Sequence, residues 1–166
     1  MIQVIVDDLA FLAVDAVLRP ADQSLAPVTP AMVRLDQQAG AHFAALRRVA
    51  RPLDAGAAVV TGGGELAAPF VVHVVVQDER GGAVREVVRR ALISAWQRAA
   101  EWQLERLAAP VVGVGAGRLS LEDAARLMAE TYAARAPGAA PRELQIVVER
   151  AEDQALVTAV VQRIAV

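Results

Sequence analysis

The sequence predicts an α/β fold, a three-layer α/β/α sandwich around a central mixed sheet. Three observations predict it. Short β-branched runs alternate with amphipathic stretches along the whole chain. Residues 70–76 (FVVHVVV) form a continuous apolar run, the pattern of a strand buried on both faces. Two pairs of strand-like segments, 2–6 with 12–18 and 57–61 with 70–76, follow one another with no helix between them, which favours a mixed sheet over a purely parallel one. A chain of 166 residues fits one domain, 1–166, with room for a sizeable core.

The elements follow in order. Residues 2–6 are a short β-branched strand. Residues 12–18 form a second apolar run, interrupted by Asp15. The three prolines of 20–30 mark a loop, and 30–40 and 41–51 carry helical spacing (Met32, Val33, Leu35, Ala39). A strand at 57–61 ends in Gly62-Gly63-Gly64, read as a flexible connection to the strand at 70–76. Residues 83–108 form the longest predicted helix. Its apolar stripe is Val84, Val87, Val88, Ala91, Leu92, Ala95, Ala99 and Trp102, with arginines and glutamates on the other face. Trp96 and Trp102 are expected at core edges. Residues 110–114 read as a strand leading into a glycine loop. Ser120, with Asp123 three residues on, has the form of an N-cap for a helix to about residue 135. A strand at 144–149 and an amphipathic helix at 152–166 complete the chain.

Composition removes whole classes of chemistry. The chain has no Cys, Lys or Asn. Disulfides, thiolate metal sites, Schiff-base lysines and a lysine-dependent P-loop are therefore excluded. A net charge of −2 argues against a general nucleic-acid binder. Mean hydropathy is +0.37, yet no run approaches the ~20 apolar residues of a membrane span. The N-terminus lacks the basic region of a signal peptide, so a cytoplasmic protein is expected. Ala (36) and Val (26) dominate an apolar fraction of 55%. That fraction raises the expectation of a homo-oligomer with a buried apolar interface.

Candidate site residues cluster at predicted strand ends. Gly113, Gly115 and Gly117 lie between a strand and a capped helix, where glycines let backbone N–H groups approach a phosphate. The alternative is a tight strand-to-helix turn. Asp8 and Asp22 stand at strand ends, where ligands of α/β sheets gather. Two carboxylates there could serve acid–base work. Asp15, within an apolar run, needs an Arg, backbone N–H groups or a strand edge to satisfy it. His73 reads as a hydrogen-bonded core residue and His42 as an exposed one. Two histidines without a tight acidic cluster make no metal site, and no cofactor is implied. No serine sits in a nucleophile elbow.

Several segments resemble, in order, those of macro domains. Asp8-Leu9 with Leu12, then Val14-Asp15-Ala16-Val17-Leu18, resembles the family's "GDIT…L…VDAIV". Ala21-Asp22-Gln23-Ser24-Leu25 falls where the family has "AAN…L". Ala31-Met32 with Gln38-Ala39-Gly40 resembles "AI…aG". Gly56-Ala57-Ala58-Val59-Val60-Thr61 is similar to "G.av.T", Val72-His73-Val74 to "IHtV", and the segment from Pro110 to Gly115 to "P.i.TG". A lesser resemblance runs to the N-terminal domain of leucine aminopeptidases.

The resemblance implies an ADP-ribose pocket at the carboxyl edge of the sheet. Asp8 would hold the adenine amino group. The loop of Gly113, Gly115 and Gly117 would wrap the diphosphate, with Arg118 on a phosphate. Asp22 would face the distal ribose and, with a bound water, carry any hydrolysis of ADP-ribosyl adducts. The sequence departs from the family at Asp22, where Asn is usual. Asp lacks the amide donors and brings negative charge near a diphosphate. Pro27 and Pro30 stand where the family has glycines, and the loop after Gly113 is shortened. These departures argue against hydrolysis. The expected function is a divergent module binding ADP-ribose or a related nucleotide. The alternative is a non-catalytic structural or protein-interaction module that has lost the pocket.

Overall fold

A computed structural model describes residues 1–77, 85–115 and 118–164. Its centre is a six-stranded sheet. In chain order the strands are β1 (Ile2–Val6), β2 (Ala16–Asp22), β3 (Ala58–Gly62), β4 (Phe70–Gln77), β5 (Arg106–Ala109) and β6 (Glu143–Val148). The helices are α1 (Pro30–Ala39), a single turn α2 (Phe43–Leu46), α3 (Arg85–Glu101), α4 (Leu121–Ala133) and α5 (Ala151–Ile164). The strand order is β1-β6-β5-β2-β4-β3, and every neighbouring pair is parallel except β3 with β4. The sheet is thus mixed, as the sequence predicts, but only through β3 and β4; β1 and β2 are not neighbours and run parallel, so that pair does not contribute.

The strand alternation sorts side chains onto two faces. Ala16, Leu18, Val72, Val74, Leu107, Leu144 and Ile146 pack with the buried faces of α3, α4 and α5. Val17, Val71, Ala108 and Val147 pack on the opposite side with Met32, Leu35 and Ala39 of α1 and Phe43 of α2. The result is three layers, with five strands aiming their carboxyl ends the same way.

Local chemistry fixes the helix ends. Thr29 caps α1 by accepting from Met32 N–H, and Pro30 follows at the first helical position. Ser120 caps α4 by accepting from Asp123 N–H at 3.1 Å. Gly62 ends β3, and Gly63 and Gly64 form a packed turn, where a flexible connection is expected. A Cβ on Gly63 would lie 2.3 Å from the Ala68 carbonyl oxygen, and one on Gly64 2.4 Å from that of Ala39.

Four boundaries depart from expectation. The helix expected over 41–51 is only the single turn Phe43–Leu46. The predicted 83–108 helix contains two elements: α3 ends at Glu101, and β5 begins at Arg106. Gln103 adopts a left-handed φ of 54°, and Leu104 N–H reaches back to the Ala99 carbonyl, closing the helix without a glycine. Trp102 is consequently 51% exposed, against the edge of Phe70, whereas Trp96 is buried and donates to Thr131. Residues 110–114 are not a strand, because Pro110 ends β5 just beyond its pairing with β6. Finally, β2 starts later than expected and runs through Pro20 to Asp22. Asp15 lies just before it, where Oδ2 accepts from the N–H groups of Glu105 and Arg106 at 2.8 and 2.9 Å. Among the described residues no helix is long and apolar enough to cross a membrane.

Candidate functional site

A cavity of about 830 Å³ opens at the carboxyl ends of the parallel strands. That volume lies in the range of small-molecule sites, roughly 300–1,000 Å³. Its origin is a gap in the sheet. The β2–β5 ladder lasts for Ala16↔Leu107 and Val17↔Ala108 only, while β2 continues along β4. Pro20 on β2 and Pro110 after β5 then line the cavity, and neither has an N–H to offer a neighbouring strand. The walls are Val6 to Ala10 after β1, residues 28–38 of the α1 segment, Val76, the turn after β5, and residues 147–150 with Asp153.

The lining is apolar on the floor and charged at the rim. Val28, Met32, Leu35, Val76, Val111 and Val148 supply apolar surface. Asp8 stands on the rim, where Oδ1 accepts from Ala10 N–H at 3.0 Å and caps the one-turn 3-10 helix Leu9–Phe11. Asp7 accepts from the Asp8 N–H at 2.7 Å. Across the cavity, Arg34 Nη2 on α1 pairs with Glu149 Oε1 after β6 at 2.7 Å. Arg150 pairs with Glu152 and Asp153, each at 3.2 Å. Asp153 hydrogen-bonds the guanidinium and holds the Arg150 pKa above its usual value.

The turn after β5 forms the remaining wall. Gly113 has a φ of 108°, and a Cβ there would stand 3.0 Å from Leu119 and 3.1 Å from Val88, so only glycine fits this bend. Leu119 N–H returns to the Gly113 carbonyl and Arg118 N–H to that of Gly115. Gly115 borders Thr29, whose methyl would lie 3.6 Å from a Cβ at that position.

The expected site residues are thus only partly brought together. Asp8 and Gly113 line the cavity; Gly115, Arg118 and Asp22 do not. Gly115 adjoins it through Val114 and Thr29. Arg118 is exposed at a left-handed φ of 56°. Asp22 turns its Oδ1 to its own loop, accepting from Ser24 N–H at 2.9 Å, Ser24 Oγ at 2.8 Å and Ala26 N–H at 2.9 Å. Gly117 lies outside the described residues. Among the described residues no group of three or more His, Asp or Glu is arranged to hold a metal ion.

Beneath α1 lies a second polar constellation. Arg19 on β2 is fully buried and grips Asp36 through Nε and Nη2, both at 2.7 Å. Its Nη1 donates to the Leu25 carbonyl at 2.8 Å and to His73 Nδ1 at 3.2 Å. A guanidinium only donates, so His73 Nδ1 carries the lone pair and the ring proton sits on Nε2. Nε2 then donates to Thr61 Oγ1 at 2.7 Å, and that hydroxyl donates to the Gly62 carbonyl. Burial, then the charges of Arg19 and Arg47, push the His73 pKa down to about 3. His73 is the hydrogen-bonded core histidine the sequence predicts. Arg19, oriented by Asp36 and His73, holds the loop from Asp22 to Thr29 through the Leu25 carbonyl, which also accepts from Arg47 at 3.1 Å.

Sequence reading missed Arg34, Glu149 and Arg150. Each is an ordinary surface charge in the sequence, and Arg34 and Glu149 stand 115 residues apart. The one available signal was that 149 and 150 follow a buried strand, the same position that singled out Asp8.

The model of the macro domain family matches residues 33–128, more than half the sequence. The chain belongs to the macro domain family. An uncharacterized protein of Aeropyrum pernix is 32% identical over 120 residues, covering 72% of this chain and 64% of that protein. The chain therefore spans less than two thirds of this curated relative's length. Among solved structures, a macrodomain variant of Oceanobacillus iheyensis with ADPR superposes with a TM-score of 0.85 at 15% identity, covering 99% of this chain and 93% of that one. The Trypanosoma brucei macrodomain in complex with ADP gives 0.85 at 17% identity, covering 96% and 68%. At these identities the likeness establishes the macro domain fold.

Proposed function

We propose that this macro domain is a binding module for ADP-ribose or a related adenine nucleotide, held in the cavity at the carboxyl edge of the sheet. The observation that carries the reading is the cavity itself: 830 Å³, with Asp8 on one rim and the Gly113 bend on another. Two macro domains of the same fold carry ADPR and ADP in their structures. In this reading Asp8 keeps Oδ2 for the ligand's exocyclic amine while Oδ1 caps the 3-10 turn. The N–H groups of the turn after β5 face the phosphates. The module binds without hydrolysing. Asp22 spends Oδ1 on three donors of its own loop, outside the cavity, and Pro27 and Pro30 offer no N–H groups to an anion.

Thermal unfolding with and without nucleotide tests this. A ligand at one hundred times its Kd stabilises by about 2.7 kcal/mol. For a chain of this size that raises Tm by roughly 5–10 °C. ADP-ribose is expected to produce such a rise in the wild type, and Asp8→Ala and Gly115→Glu to abolish it. Equal rises in all three proteins would refute the site.

A further inference from the structure

The cavity lining is unbalanced in charge. Arg34 and Arg150 face four carboxylates, those of Asp7, Asp8, Glu149 and Asp153. A ligand carrying a diphosphate meets this excess of negative charge and needs a guanidinium to offset it.

The two arginines are not equally available. Arg150 is engaged by two carboxylates of its own segment, with Nη1 on Glu152 and both Nε and Nη2 on Asp153 at 3.2 Å. Arg34 meets one, Glu149, through the single Nη2–Oε1 contact. Both partners of that contact are open to water, at 59% and 69% exposure, so the pair is held weakly. Arg34 also borders a second, shallow depression formed by Pro27, Val28, Thr29, Pro30 and Val33 at the start of α1. Arg34 therefore borders both the cavity and the depression at the start of α1, and Thr29, which also lines both, adjoins Gly115.

We infer that Arg34 is the residue by which this site selects phosphate-bearing ligands, and that Glu149 holds it in place until a ligand phosphate takes over. The inference rests on the nucleotide reading of the cavity. Binding becomes an exchange of anions. Glu149, already largely hydrated, returns to water at small cost. The phosphate gains a guanidinium able to present two parallel N–H donors. Glu149 thereby acts as a competitor that a neutral nucleoside never has to displace.

Calorimetric titration of the wild type, Arg34→Gln and Glu149→Gln with adenosine, AMP, ADP and ADP-ribose tests the exchange. Arg34→Gln is expected to weaken ADP and ADP-ribose roughly tenfold, the scale of a hydrogen bond to a charged group, and to leave adenosine within about twofold. Glu149→Gln is expected to tighten ADP-ribose by roughly threefold, the scale of an exposed ion pair. Arg34→Lys should recover part of the loss, because it restores charge without the planar fork. Equal losses for adenosine and ADP-ribose in Arg34→Gln would make the residue structural and overturn the inference. So would undiminished ADP-ribose affinity. If the wild type bound none of the four ligands, the nucleotide reading itself would fall, and the role of Arg34 with it.

Discussion

Helix α1 supplies one partner to each of two arginine–carboxylate pairs, and both close at 2.7 Å. Asp36 meets Arg19 beneath the helix. Arg34, two residues earlier, meets Glu149 above it. The distances agree, but the surroundings do not. Arg19 and Asp36 are 0% and 15% exposed, with a second contact at 2.7 Å, two further acceptors and the Phe43 ring 5.6 Å from the guanidinium. Arg34 and Glu149 have one contact, in water. Removing Arg19 leaves Asp36 poorly hydrated, with only the longer Arg47 contact at 3.5 Å, while removing one member of the exposed pair leaves a hydrated ion. The comparison assigns the first pair to holding the α1 layer and its loop, and the second to an element that can change partners.

The largest expected effect lies with the buried pair. Arg19→Met should destabilise the fold by about 3 kcal/mol in urea unfolding, since Asp36 loses both of its 2.7 Å bonds, keeping only Arg47 at 3.5 Å, and His73 Nδ1 loses its donor. A loss below about 1 kcal/mol would erase the contrast.

His73 gives the next effect, seen as pH dependence. Unfolded, it takes up a proton near pH 6.5; folded, it resists protonation to about pH 3. The unfolded state therefore binds more protons between those values, and stability falls as pH falls through that window. The slope is at most about 1.4 kcal/mol per pH unit. His73→Gln should flatten the part of the stability–pH curve that this group supplies between pH 6 and 4. An unchanged slope would mean that His73 is protonated within the fold.

Smallest of all is the stability effect at the rim. Arg34→Gln should cost less than about 0.5 kcal/mol, and its consequences should appear in ligand affinity instead.

How much of this was legible in the sequence depended on whether each feature had a local signal. The Ser120 cap, the doubly buried β4 and the strand before α5 were readable because cap chemistry and apolar runs are local. The junction of α3 and β5 was not. Leu104 and Leu107 continue the apolar character of the preceding helix, and the stop is made by Gln103 in a glycine-like conformation. Pro20 read as loop, yet it is strand, because the β2–β5 pairing has already ended at Val17. At the site, Asp8 and Gly113 were legible as a carboxylate and a glycine at strand ends. Asp22 occupies a similar strand end, but its bonds to Ser24 and Ala26 turn it into its loop, which chain position cannot reveal. Arg34 and Glu149 gain their meaning only when the fold sets α1 across from the end of β6.

The most direct test of the central claim is calorimetric titration of the wild-type protein with ADP-ribose at two temperatures. The account predicts saturable one-to-one binding with a Kd near the micromolar range, about −8 kcal/mol. No heat at millimolar ligand at either temperature would contradict it and leave a macro domain whose cavity serves another purpose.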